Sequence, residues 1–344
     1  MSRIFDIINI PLGYVMRFLA QLFGGNFALS VFVFTLLIDV ILIPLSIKSQ
    51  KSTVAQLRIK PKLDELKKRY GDDKQKFAQA QQELYQKENV SMAGGCLPML
   101  VRLLLLFAIY SLILSPLTYM SGASKTKVNN VSSAISSGLE TLKEEDEDRY
   151  NEIIKEYNWT STKGTVSNQL GLIKFVRDDT GIVKEILGEK KYAKIEDDYE
   201  YLRKKDKESN INYTLFTDKI NLIEKPNFSM DIFHNFELNW LLPIGAFLSQ
   251  MLMSLIQSRI TKINTPEAPS MMGLTLFMPL ISLFIGFTFP GGVCFYWICS
   301  SLIGGAIQVF VQLFYGPQRL LARERAKEIE KEYDFEKKQL EKYN

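Results

Sequence analysis

Charged residues avoid four long stretches of this chain, and their absence constrains the fold more than any other feature of the sequence. The stretches are residues 28–47, 96–120, 238–258 and 270–315. Asp39 and Arg102 are the only charged residues within them. A helix that crosses a hydrocarbon core of about 30 Å needs about 20 predominantly apolar residues. Soluble globular proteins interrupt their apolar residues every few positions, so the pattern excludes that class.

The stretches predict an all-α polytopic membrane protein with five transmembrane helices. The predicted spans are residues 27–48, 96–120, 238–258, 271–289 and 293–315. The fourth and fifth are joined by Phe289-Pro290-Gly291-Gly292, a tight turn that makes them antiparallel neighbours. Residues 1–26 carry apolar side chains at helical spacing, which predicts an interfacial amphipathic helix before the first span.

The loops predict the orientation of the spans. Residues 48–95 contain 11 Lys/Arg and 6 Asp/Glu, whereas residues 121–237 contain 18 Lys/Arg and 22 Asp/Glu. Short basic loops stay in the cytoplasm, and long loops are translocated largely regardless of charge. We therefore expect an external N-terminus, a cytoplasmic loop at 259–270 and a cytoplasmic C-terminus. No cleavable signal or transit peptide pattern is seen, which favours the plasma membrane of a bacterium.

Residues 49–95 are predicted to form a cytoplasmic helical hairpin. Gly71-Asp72-Asp73 marks its turn, because Gly suits the end of a helix and Asp suits an N-cap. Four basic residues are candidate contacts for a nascent chain, a ribosome or anionic lipid: Lys60, Lys67, Lys68 and Arg69. The alternative interpretation, a solvated linker that only satisfies the positive-inside rule, stays open.

Asp39 and Arg102 are the strongest candidates for functional residues, because they are charged and lie within predicted membrane spans. A charge at the centre of a bilayer costs about 2.5–3.5 kcal/mol on the insertion scale, so intramembrane charges usually pair or face water. At 1.5 Å per residue the two lie about 13 and 9 Å from the cytoplasmic ends of their spans. We expect a salt bridge between them or a wet cavity. Gln250, Gln308 and Gln312 are further candidates for a polar groove, although hydrogen bonding between helices would also explain them.

The sequence argues against an enzyme. His234 is the only histidine and lies outside the third predicted span, so we expect neither a His-based triad nor a multi-His metal site. No phosphate-binding loop of the GxxxxGK[ST] or GxGxxG type occurs. Cys294 and Cys299, beside Trp297, are interpreted as packing residues. We expect no cofactor and no metal. No clear internal repeat supports a transporter.

Several ordered motifs resemble the YidC/Oxa/Alb family of membrane protein insertases. Span two, NVSMAGGCLPMLVRLLLLFAIY, is similar to the family pattern N-P-x-x-G-C-L-P-x-L-I-Q-x-P-x-L-x-A-L-Y. FPGGVCFYW resembles the family's FP-x-G-x-x-x-YW, and the predicted hairpin also looks like its counterpart. The resemblance covers about residues 20–120 and 213–315.

The resemblance implies five helices around a hydrophilic groove that is open to the cytoplasm and to lipid. It also implies a protein that inserts and folds nascent membrane proteins, alone or with the Sec translocon, without hydrolysing nucleotide. The alternatives are a subunit that acts only with a partner complex and a membrane protein that translocates lipid or solute.

The chain departs from the family pattern in three places. The family usually has Arg at the position of Asp39 and Gln at the position of Arg102, so we expect Arg102 to take the family arginine's role and Asp39 to hold it. The external loop 121–237 is unusually long, and we expect it to contain a small inserted α+β domain or a partly helical docking loop. Contact with an external partner is one interpretation, and tolerated bulk on the outer face is the other. The tail 316–344 has 8 Lys/Arg and 7 Asp/Glu, which predicts a solvated helix and gives little support to ribosome binding.

Overall fold

The fold is taken from a computed structural model of the chain. It describes residues 2–88, 90, 97–159, 168–215, 217–226, 237–264 and 272–343. Helices account for almost all of these residues, in agreement with the predicted all-α class. One antiparallel pair of short strands is the exception within the described residues.

The helices and strands follow one another in this order. In the N-terminal part they are α1 Ser2–Leu22, α2 Phe27–Ile41, α3 Ile43–Tyr70, α4 Lys74–Lys87, α5 Leu97–Leu114 and α6 Pro116–Tyr119. Residues 121–237, which we call the external region after their predicted side of the membrane, contain α7 Lys125–Glu145, α8 Glu147–Glu156, α9 Asn168–Arg177, α10 Ile182–Leu187, α11 Glu189–Tyr192, α12 Glu196–Ser209, β1 Thr214–Leu215 and β2 Thr217–Asn221. A 3₁₀ turn Leu238–Trp240 then leads into α13 Leu241–Asn264, α14 Met272–Gly286, α15 Gly291–Tyr315 and α16 Pro317–Tyr343.

The chain divides into two compact units. The first comprises Met1–Leu37, Leu104–Gln250 and Phe277–Ser301. The second comprises Ile38–Leu103, Met251–Leu276 and Leu302–Asn344. Each unit has its own packing and is described by itself.

The first unit contains a hydrophobic core built by the external helices. α7 packs against α8, α10 and α12, and α9 packs against α12 and α7. The side chains that fill this core are fully buried and apolar, among them Ile135, Ile153, Leu172, Phe175 and Leu202. Burying an aliphatic or aromatic side chain of this size contributes about 1.5–3 kcal/mol. These helices thus pack around one apolar core within the first unit. We call them the external domain after their predicted side of the membrane, and their status as a separate inserted domain stays a prediction.

A buried ion pair lies beside this core. The Arg177 guanidinium donates to both oxygens of Asp206, with Nε–Oδ2 at 2.6 Å and Nη2–Oδ1 at 2.9 Å. Asp206 is buried. Burial alone would lower the pKa of Arg177, but the hydrogen bonds and charge of Asp206 outweigh it and leave the pKa raised. The Arg177 guanidinium therefore stays charged at neutral pH.

The second unit contains the helical hairpin of α3 and α4. α3 runs through Pro61 without a break and packs against α4 and α16. Asp73 caps α4 as the turn signal predicts: its carboxylate accepts from the backbone N–H groups of Gln75 and Lys76 at 3.2 and 3.1 Å. These bonds, the Lys76 backbone first, hold the pKa of the Asp73 carboxyl below its usual value.

Two helical segments of the described chain are long and apolar enough to cross a membrane, Leu238–Ile260 and Gly291–Lys338. A third is obtained if α2 and α3 count as one span with a bend of 44°. α14, with 15 residues, and the apolar part of α5, Leu104–Leu114, are shorter. The described residues thus support two or three spans, and the five-span arrangement stays a prediction.

The break at Leu42 was not anticipated by the predicted span 27–48. Pro44 lies in the first turn of α3. Proline has no N–H to donate, and its ring clashes with the carbonyl four residues earlier, so it ends or kinks a continuous helix. The chain therefore changes direction here, between α2, which carries Asp39, and α3.

Candidate functional site

The apolar helices expose hydrophobic side chains and bury polar ones, which reverses the arrangement of a soluble protein. On α2 the exposed residues include Leu29, Phe32, Leu36, Leu37, Val40 and Ile41. On α15 they include Leu302, Phe310, Leu313 and Phe314. Exposed apolar surface of this extent marks an interaction with lipid or protein. Polar groups within the membrane usually face the helix bundle or water.

Asp39 is buried on α2, with 7 % of its surface exposed. Its carboxylate lies against α15 at Gly304, where an added Cβ would be 3.1 Å from Oδ2 and 3.2 Å from Oδ1. Contacts at 3.0–3.4 Å are tight, so Gly304 is the residue that lets the α15 backbone approach the carboxylate. The structure thus brings Asp39 to the helix that also carries Gln308 and Gln312.

Two further polar side chains continue from Asp39 onto α3. Ser46 and Gln50 are buried, with Gln50 exposed at 7 %. They lie four residues apart and share one face of α3, just after the bend that follows Asp39. Neither was predicted from the sequence, although two polar side chains at helical spacing near the end of the first apolar run were a signal for them.

Gln308 and Gln312 lie on α15 at four-residue intervals from Gly304 and share its face. Both are half-buried. The Gln312 side-chain oxygen Oε1 is buried and has no hydrogen-bond partner among the described residues. A buried polar atom without a partner costs about 1–3 kcal/mol. Such an atom is suited to accept a hydrogen bond from water or from a bound polypeptide.

We call Asp39, Ser46, Gln50, Gln308 and Gln312 the polar stripe. All five belong to the second unit. Gln250 is half-buried on the part of α13 that belongs to the first unit, so its membership of a common groove stays a prediction. Arg102 lies in α5, but its side chain is outside the described residues, so the predicted pair with Asp39 also stays a prediction.

The predicted hairpin contacts are accessible. Lys67, Lys68 and Arg69 are exposed in the last turn of α3, where the carbonyl end of the helix dipole favours positive charge. Lys60 is half-buried on the same helix. Lys62 forms an ion pair with Glu88 at 2.5 Å, which joins the two helices of the hairpin.

Within the described ranges no group of three His, Cys, Asp or Glu side chains is arranged to hold a metal ion. Cys294 and Cys299 are buried thiols, and the Cys294 Sγ–H donates to the Gly286 carbonyl at 3.3 Å. This agrees with their interpretation as packing residues.

The chain is similar to known membrane proteins. The family described as the 60Kd inner membrane protein matches residues 18–161 and 199–317. A protein of Fusobacterium nucleatum named membrane protein insertase YidC is 36% identical over 115 residues, which are 33% of this chain and 56% of that protein. A Shewanella protein of the same name, from strain ANA-3, is 41% identical over 108 residues, 31% of this chain and 20% of that protein.

The matches cover only part of each relative and only part of this chain. The chain spans about half the length of the Fusobacterium protein and a fifth of the Shewanella protein. The family match omits residues 162–198, which lie between its two matched ranges. In this structure those residues include α9, α10 and α11 of the external domain.

Proposed function

This chain belongs to the 60Kd inner membrane protein family, the YidC/Oxa1 membrane protein insertases, and from that premise we propose that it inserts and folds nascent membrane proteins. The observation that carries the proposal is the polar stripe, which runs partly along α2 and α15, helices whose other faces are apolar and exposed. The family match supplies the class of activity, and the stripe supplies the place where a substrate is received.

The stripe would act by lowering the cost of moving polar groups across the membrane. A charged side chain at the bilayer centre costs about 2.5–3.5 kcal/mol on the insertion scale. Buried carboxylate, hydroxyl and amide groups offer hydrogen-bond partners partway across, so a polar segment of the substrate leaves water without becoming unsatisfied. Its apolar segment then moves sideways into lipid. The reaction needs no bond making, no cofactor and no nucleotide.

In this proposal five spans surround the groove, with the N-terminus outside and the C-terminus in the cytoplasm of a bacterial cell. α1 lies in the membrane interface. Its exposed face supports this placement, since it is apolar: Ile7 at 73 % exposure, Ile10, Tyr14, Phe18 and Leu22. Arg17 of α1 donates a hydrogen bond from Nε to the Met120 carbonyl at 3.1 Å, which joins α1 to the residue that follows α6.

Arg102 is proposed to face the groove and to be held there by Asp39. The family pattern places a positive charge in span one, whereas this chain has an acid there and an arginine in span two. If the two charges pair, the groove carries little net charge and selects substrates by polarity rather than by negative charge.

The hairpin of α3 and α4 is proposed to meet the substrate first. Its exposed basic residues at the end of α3 suit contacts with a nascent chain or anionic lipid. The Sec translocon is a proposed partner, and a ribosome is a weaker one because the tail has nearly balanced charge.

Reconstitution of the purified full chain into liposomes tests the proposal. A small single-span protein is synthesised in the presence of the vesicles, and its protease-protected fraction is measured. We expect correctly oriented insertion by the wild type, a loss of about tenfold or more with Arg102→Ala, and nearly full activity with the matched control Arg259→Ala, which removes an exposed arginine of α13.

The same experiment also tests whether Asp39 and Arg102 form an ion pair. Asp39→Arg and Arg102→Asp should each impair insertion, and the double swap should recover part of it. Absence of recovery contradicts the pairing. Absence of insertion by the wild type contradicts autonomous activity and favours a partner-dependent subunit, while lipid or solute flux without insertion favours a translocator.

A further inference from the structure

Hydrogen bonds connect the external domain to the predicted outer ends of four spans. We call each of these connections a tie, and side chains of α9 reach all four ends directly or through neighbouring residues. We propose that α9 is a brace that fixes these ends relative to one another and keeps this end of the helix bundle closed. This inference rests on the proposed function, because closure is what confines a substrate to the groove. α9 lies wholly within residues 162–198, which the family match omits.

The first tie is made to the helix that follows α5. The Gln169 side chain of α9 accepts from the Thr118 backbone N–H at 3.2 Å and donates to the Thr118 hydroxyl at 2.9 Å. Thr118 belongs to α6, at the outer end of the predicted second span. One side-chain amide therefore binds both the backbone N–H and the hydroxyl of a single residue.

The second tie leads to α15 and α13. Lys174 of α9 donates to Glu224 Oε1 at 2.8 Å. The Glu224 carbonyl accepts from Gly291 N–H at 2.8 Å, and the Leu222 carbonyl accepts from Gly292 N–H at 2.7 Å. These N–H groups begin α15 and have no partner within the helix. A Cβ at Gly291 would lie 3.2 Å from the Asn221 carbonyl oxygen, which explains glycine at this close approach.

The same loop reaches the start of the third predicted span. The Asn221 N–H donates to the side-chain oxygen of Asn239 at 3.0 Å. Asn239 lies in the 3₁₀ turn that precedes α13. Lys174 thus holds, through Glu224 and its neighbours, the beginnings of both α13 and α15.

The third tie leads to α2. Arg177, the last residue of α9, binds Asp206 and also donates to the Ile211 carbonyl at 3.0 Å. The next residue, Asn212, accepts from Phe27 N–H at 3.1 Å and donates to the Gly25 carbonyl at 2.8 Å. Gly25 has a positive φ of 84°, and a Cβ there would lie 2.0 Å from the Asn210 carbonyl oxygen. Only glycine allows this clamp before the first predicted span.

Cys294 is a native probe of closure. It lies in the first turn of α15, next to the tied glycines, and 0 % of its surface is exposed. In a protein with Cys96→Ser and Cys299→Ser, a membrane-impermeant maleimide can react with Cys294 only when this end of the bundle opens. The labelling rate needs no substrate, so it reports on the brace even if the insertase proposal fails.

Gln169→Leu and Lys174→Met cut two ties while keeping side-chain size. We expect each to raise the labelling rate of Cys294 by about tenfold. Lys174→Arg keeps the charge and should restore a rate near the wild type. The matched control is Lys190→Met, which changes an exposed lysine of α11 in the same segment.

Hydrogen exchange separates a brace from a purely local contact. Lys174→Met should speed exchange at Phe27 N–H, in the distant tie, as well as at Gly291 and Gly292. Two results would overturn the proposal, with circular dichroism showing intact helices: labelling of Cys294 at the control rate in both variants, or faster exchange confined to Gly291 and Gly292. Faster labelling with unchanged insertion would support the brace and show that closure does not limit transport.

Discussion

The external domain and the hairpin of α3 and α4 are both built from polar, helix-forming sequence, yet only the first has a core. The external helices surround fully buried residues such as Ile135, Leu172 and Leu202. In the hairpin, α4 has no buried residue, and α3 buries only Val54 and Ile59 besides Ser46 and Gln50. A helix pair with so little buried apolar surface depends for its stability on contacts with other parts of the chain, such as the packing of α3 against α16.

The difference matches the roles proposed for the two regions. A packed domain with ties to several helix ends can hold a fixed geometry. A hairpin that exposes most of its surface opens at low free energy, which suits a segment that must receive varied substrates. The comparison predicts that the same kind of substitution has unequal effects in the two regions.

The largest expected effect is in the external core. Leu172→Ala should lower the free energy of unfolding of this domain by about 2–5 kcal/mol, because it removes a fully buried side chain and leaves a cavity. The matched change Leu66→Ala, at a half-buried position of α3, should cost about 1 kcal/mol or less. Denaturant titration of the detergent-solubilised full chain, followed by hydrogen exchange in each region, measures both. Equal losses would contradict the comparison.

Acid should weaken the external domain next. Hydrogen bonds from Lys127 and Asn130 hold the pKa of Asp198 below its usual value of 3.8. Burial alone would raise the pKa of Asp178, but hydrogen bonds from Tyr157 and Thr180 outweigh it and leave that pKa lowered too. A lowered pKa stabilises the fold fully above the usual value, and this contribution is lost as the pH falls through the folded value.

The expected result is a loss of stability of the external domain that begins below about pH 4. Thermal melting as a function of pH measures it. Asp198→Asn should flatten the dependence, whereas Asp197→Asn, at the exposed neighbouring position, should leave it nearly unchanged. A dependence that is the same in both variants would remove Asp198 from the explanation.

The smallest effect is expected at the hairpin turn. Asp73→Ala removes the cap of α4, so amide exchange over residues 74–87 should rise about fivefold. Asp72→Ala, at the adjacent exposed position, is the control and should change little. The external domain should be unaffected by either, since the hairpin does not contribute to its core.

Much of the helical architecture follows from sequence because its signals are local. Apolar runs, the Gly71-Asp72-Asp73 turn and the capping role of Asp73 each depend on a few neighbouring residues. The burial of Asp39 also follows, since a lone charge within an apolar run must face the protein or water.

Other features needed long-range information. Gln169, Lys174 and Arg177 look like ordinary polar residues of a short helix until the fold places them beside Thr118, Glu224 and Asp206. The external core also draws on residues far apart in the chain, so the sequence left its fold open. Pro44 was a local signal for the bend at Leu42. The bend was not predicted because the residues on both sides of Pro44 are apolar and were assigned to one continuous span.

Photo-crosslinking from the polar stripe is the most direct test of whether this surface receives the substrate. A photoreactive residue is placed at Gln312, on the buried polar face of α15, and in a second protein at Leu313, which is 47 % exposed on its apolar side. During synthesis of a single-span substrate, we expect crosslinks to the substrate from position 312 and to lipid from position 313. Substrate crosslinks from position 313 alone, or equal yields from both, would contradict a polar stripe that receives the substrate.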